Sequence, residues 1–73
     1  MRVSASQIGI TVNDEPRQVP AGATLASLLV DIGLDTRKVA VERNLEIVPR
    51  SAYAETALAA GDRLEIVHFI GGG

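Results

Sequence analysis

The chain has 73 residues, a formal net charge of −2, no cysteine and two aromatic side chains, Tyr53 and Phe69. That length suits one small domain, which buries only about 60% of its unfolded surface. The lack of cysteine excludes disulfides, thiolate metal sites and cysteine nucleophiles, while scattered Lys and Arg and so few aromatics argue against nucleic-acid binding.

Ile8, Ile10 and Val12 alternate with Gly9 and Thr11, the period of a strand with one buried face. Asn13-Asp14-Glu15-Pro16 carries turn chemistry, and Arg17-Gln18-Val19 reads as a short return strand. Pro20 has no N–H for a ladder, so that strand should end there or lie on an edge. Thr24 is a credible helix N-cap, although Ser27 stands where a full capping box would place Glu or Gln. Leu25, Leu28, Leu29 and Ile32 follow at helical spacing, and Gly33 suits the position just past the helix end. The spacing predicts a helix over Leu25–Ile32, too short to be stable without packing on a sheet.

Val39-Ala40-Val41-Glu42 reads as a third strand, Arg43-Asn44 as a bend, and Leu45-Glu46-Ile47-Val48 as a fourth strand stopped by Pro49. A short helical turn is expected near Ser51–Ala54, followed by irregular chain. Ala60-Gly61-Asp62 is a turn, and Arg63–Ile70 is the last and longest strand. In that strand Leu64 and Ile66 should face the core, with Glu65, Val67 and Phe69 on the other side. This order implies an α+β fold, a mixed sheet of four to five strands with one main helix on one face, as in the β-grasp arrangement. The folded domain is expected over 1–70.

The last strand runs into Gly71-Gly72-Gly73. Three glycines lose much backbone freedom on ordering and carry no side-chain chemistry. They are expected to form a thin, flexible arm whose carboxylate another enzyme uses as a chemical handle. His68 is the only histidine and has no neighbouring ligand type, so neither a metal site nor a catalytic base is expected at it. Asp62 is expected to serve its turn, and Arg43 and Arg50 to be solvated. No segment reads as a signal peptide or a membrane span, which makes the cytoplasm the expected location.

With these elements in place, the whole chain resembles the sulfur-carrier proteins of the thiamine-biosynthesis (ThiS) type, within the ThiS/MoaD/ubiquitin-like family. The resemblance rests on Val12-Asn13-Asp14, on Ala21-Gly22-Ala23-Thr24-Leu25 and on the central run from Val41 to Arg50. It is closest from Gly61 through Ile66-Val67-His68-Phe69-Ile70 to the three glycines. It implies a carrier, not an enzyme, with no bound cofactor and with Gly73 as the site of adenylation and thiocarboxylate formation. The implied partners are a ubiquitin-activating-type adenylyltransferase (ThiF or MoeB type) using ATP and Mg, a sulfur donor, and a thiazole synthase of the ThiG type. Val67, Phe69 and Ile70 are the expected docking residues, and Gly71 and Gly72 the approach. Two alternatives stand beside this reading: the small sulfur-carrying subunit of molybdopterin synthase, and a ubiquitin-like adaptor or protein modifier.

Overall fold

The computed structural model describes residues 6–69. Five strands and one α-helix follow the order β1 (Gln7–Val12), β2 (Glu15–Pro20), α1 (Leu25–Ile32), β3 (Val39–Arg43), β4 (Glu46–Val48) and β5 (Arg63–His68). Two 3₁₀ segments, Thr36–Lys38 and Arg50–Glu55, fill the connections. The sheet order is β2-β1-β5-β3-β4, which places the last strand beside the first, at the centre. β1 and β5 run parallel and the other neighbours are antiparallel, the mixed β-grasp sheet expected from the order of elements.

Local chemistry explains most boundaries. Asn13 and Asp14 both take positive φ, 51° and 70°, as a two-residue hairpin turn requires. β2 is an edge strand, so the missing N–H groups of Pro16 and Pro20 are tolerated there. Thr24 caps α1 through its hydroxyl, which accepts from the Ser27 N–H at 3.1 Å. Ser27 Oγ in turn accepts from the Thr24 N–H at 3.0 Å. The reciprocal box is therefore complete, with serine doing what glutamate usually does; its hydroxyl is short but can act as both donor and acceptor. Gly33 ends the helix at φ 94°, and the Leu34 N–H also returns to the Leu29 carbonyl.

The fourth strand begins one residue later than its pattern suggests. Asn44 and Leu45 both sit at positive φ, 53° and 73°, and form the β3–β4 turn. The turn's hand therefore sets Leu45's conformation against its strand propensity.

The core lies between α1 and one sheet face. Leu25, Leu28 and Leu29 bury against Ile10, Val19, Val39, Val41 and Leu64, with Val12 and Ile66 packed at its margin. Tyr53 and Leu58 close the far side, a contribution hidden in the alanine-rich stretch. The Tyr53 hydroxyl donates to the Val39 carbonyl at 3.3 Å, so its polar end has a partner within the apolar interior. Among the described residues, no helix is long and apolar enough to cross a membrane.

Candidate functional site

β5 leads toward the glycine segment and has sheet neighbours on both sides, so its placement is the centre of the site. It pairs with β3 over five positions, from Val39↔His68 to Arg43↔Leu64. With β1 it shares only two, Thr11↔Arg63 and Val12↔Leu64. Two asparagine side chains extend this hold, one from each hairpin turn. On the β1 side, Asn13 Oδ1 accepts from the Ile66 N–H at 2.8 Å, and Asn13 Nδ2 donates to the Ile66 carbonyl at 3.2 Å. On the β3 side, Asn44 Oδ1 accepts from the Arg63 N–H at 2.9 Å.

Asn44 also donates to Asp62 at 3.1 Å, and the same carboxylate accepts from Arg43 Nε at 2.9 Å and the Ala59 N–H at 2.8 Å. Asp62 is only 5% exposed, the one buried charged residue among those described. Burial alone would raise its pKa; the bonds from Ala59, Asn44 and Arg43 outweigh that and hold the carboxyl below its ordinary value. Asp62 thus serves its turn, as expected, but also ties that turn to β3. Arg43, expected to be solvated, is bonded inward to it. Arg50 donates to the Arg37 carbonyl at 3.3 Å.

Among the described residues, no helix covers the other sheet face. Val67 is 60% exposed, Phe69 47% and Ile47 76%. Register places Val67 opposite Ala40, and Glu42 opposite both Glu65 and Ile47. A shallow depression of about 110 Å³ is lined by Ala40, Glu42, Ile47, Glu65 and Val67. Two carboxylates therefore face each other at the edge of an apolar patch, and no described cation pairs with either. Exposed apolar surface of this kind is a feature of protein-contact faces.

The structure thus places Val67 and Phe69 on the open face. Ile70, Gly71, Gly72 and Gly73 lie outside the described residues. His68 is an exposed strand residue. Sequence reasoning missed Ile47 as part of the patch, because its neighbours there come from β3 and β5. It also treated Asn13 and Asn44 as turn residues only. Asparagine at a positive-φ turn position was the available signal; the strand it would reach was not visible.

The ThiS family model matches residues 5–73. A thiazole synthase of Paramagnetospirillum magneticum is 58% identical over 64 residues, 88% of this chain but 20% of that protein. The chain thus spans about one-fifth of the length of the thiazole synthases it matches. The sulfur carrier protein ThiS of Bacillus subtilis is 46% identical over 50 residues, covering 68% of this chain and 76% of that one. Among solved structures, the thiamine biosynthesis protein ThiS of Geobacter metallireducens superposes with a TM-score of 0.76 at 32% identity, covering 90% of this chain and all of that one.

Proposed function

The chain belongs to the ThiS family, and from that premise we propose that it carries sulfur, as a thiocarboxylate on Gly73, for thiazole formation in thiamine biosynthesis. The observation that carries this reading is the likeness to the sulfur carrier protein of Bacillus subtilis, over two-thirds of the chain. The stretch shared with thiazole synthases supports a synthase of that kind as the acceptor of the sulfur.

The chemistry follows from the carboxylate. It is ionised at neutral pH and resists nucleophiles until it is activated. A partner adenylyltransferase brings Mg-ATP. A carboxylate oxygen of Gly73 attacks the α-phosphorus and pyrophosphate leaves, giving an acyl adenylate. Sulfur supplied at the sulfide level, as hydrosulfide, then attacks the acyl carbon and AMP departs with the adenylate oxygen, so that after loss of the S–H proton the chain carries sulfur in place of one carboxylate oxygen. The protein contributes the acyl group and a surface by which the partners hold it. We assign that surface to the open sheet face, with Val67, Phe69 and Ile47 as the apolar contacts and Ile70 completing the approach.

Intact-mass spectrometry of protein made in its own cell tests the reading. The expected result is a species heavier by one oxygen-to-sulfur exchange, localised to Gly73 by fragmentation and absent when the adenylyltransferase is deleted. An isopeptide-linked form in its place favours a protein modifier and overturns the carrier reading.

A further inference from the structure

The geometry points to Asn13 as a positioning residue for adenylation of the terminal carboxylate, acting through β5 and touching neither substrate nor the reacting carboxyl. The inference rests on the carrier reading above. β1 stops at Val12, and the Asn13 N–H makes the last strand-like bond to β5, to the Leu64 carbonyl at 2.8 Å. Beyond it the backbone turns away into the hairpin, and Ile66 would present an unpaired N–H and C=O to that side. The Asn13 carboxamide takes both, at 2.8 Å and 3.2 Å, and so stands in for one more residue of a parallel neighbour. Among the described residues, Ile66 is the last of β5 with a hydrogen-bond partner on the β1 side. On the β3 side the hold continues to Phe69, whose N–H reaches the Lys38 carbonyl at 2.7 Å.

The course of β5 past Ile66 is therefore held by a ladder through Phe69 on one side and by a single side chain on the other. A partner that grips the open face holds the body of the carrier, but the acyl carbon lies seven residues beyond Ile66 by sequence. A small change in the strand's course at Ile66 shifts the point from which the glycine segment has to reach the activating site. Misplacement of a reacting group by about 1 Å can lower a rate by about a hundredfold. The β1-side carboxamide should then act on turnover, with little effect on how tightly the carrier docks.

Asn13→Gly isolates this role, because glycine accepts φ 51° and only the carboxamide is lost. Asp14→Gly is the control: it sits in the same turn at φ 70° and removes only the exposed 3.4 Å contact with Arg63. Asn13→Asp keeps size and the acceptor for the Ile66 N–H, but sets a carboxylate oxygen against the Ile66 carbonyl. The assay is steady-state pyrophosphate release by the adenylyltransferase, with the carrier as varied substrate at a temperature where every variant is folded by circular dichroism. Asn13→Gly and Asn13→Asp are expected to lower kcat by about tenfold or more, with KM for the carrier held within about threefold, while Asp14→Gly matches wild type. In the free protein, Asn13→Gly should speed hydrogen exchange at the Ile66 amide by at least about tenfold relative to the Ile10 amide. Wild-type kcat in Asn13→Gly, a change confined to KM, or an equal loss in Asp14→Gly overturns the inference. A wild-type carrier that elicits no pyrophosphate release instead overturns the carrier reading on which it rests.

Discussion

Replacing Asp62 by Asn tests the most concentrated polar interaction in the fold. The substitution preserves shape and removes one acceptor. Asp62 Oδ2 serves both Arg43 Nε and the Ala59 N–H, so the new amide oxygen is held there. The new NH₂ group then meets Asn44 Nδ2, a second donor, where Asp62 Oδ1 now accepts at 3.1 Å. Asn44 cannot rotate its oxygen into place without giving up the Arg63 N–H, bonded at 2.9 Å. One buried donor is left unpaired and Arg43 loses its counter-charge. An unsatisfied buried group costs about 1–3 kcal/mol, and Arg43, still about one-third exposed, adds little because water screens it. We expect Asp62→Asn to cost about 2 kcal/mol at pH 7, which for a domain this size lowers the melting temperature by roughly 10 °C. The pH dependence gives a second check. The folded carboxyl titrates below its unfolded value, so its contribution is fully present above about pH 5 and is lost as pH falls through the folded pKa. The gap between wild type and Asp62→Asn should therefore narrow as pH falls from 5 toward 2. Urea titrations followed by circular dichroism at several pH values measure it. Equal midpoints at pH 7, or a gap that stays constant into acid, would refute the account of Asp62 as an ionised, fully bonded anchor.

Leu28 is 2% exposed at the helix–sheet contact, and Leu28→Ala should cost about 2–5 kcal/mol in urea unfolding, leaving a domain of this size close to unfolded at 37 °C. Val67→Asp and Phe69→Ala alter the open face; both should stay folded, Val67→Asp losing some stability because it adds a carboxylate beside Glu42 and Glu65, and both should raise the KM of the adenylyltransferase for the carrier by more than Thr11→Ser does. Wild-type KM in both variants would remove that face as the docking surface. Gly72→Val, or residues added after Gly73, should leave the melt unchanged and abolish the oxygen-to-sulfur exchange seen by intact mass. Thiocarboxylate formed at wild-type rate on a chain that still carries its extension would overturn the carrier mechanism.

What could be read from residue order alone was what neighbours in sequence control. The alternation Ile8-Ile10-Val12, the turn pair Asn13-Asp14, the Leu25-Leu28-Leu29 stripe and Gly33 each act over a few positions, and each became the expected element. The split of β5 into a core face at Leu64 and Ile66 and an open face at Val67 followed from the period of two. The ThiS resemblance was legible for the same reason, being carried by contiguous stretches. The tertiary structure decided the rest. Asn13 meets Ile66 across 53 positions and Arg43 meets Asp62 across 19, so no local pattern announces either pair. Ile47 joins Val67 only because β3 lies between β4 and β5 and turns Ala40 and Glu42 to the same side. Tyr53 and Leu58 become core because the 3₁₀ segment folds back under α1. Side-chain identity sets what a residue can bond to or bury, but its partner is chosen by the sheet order, which arises only when distant strands have a common core to cover.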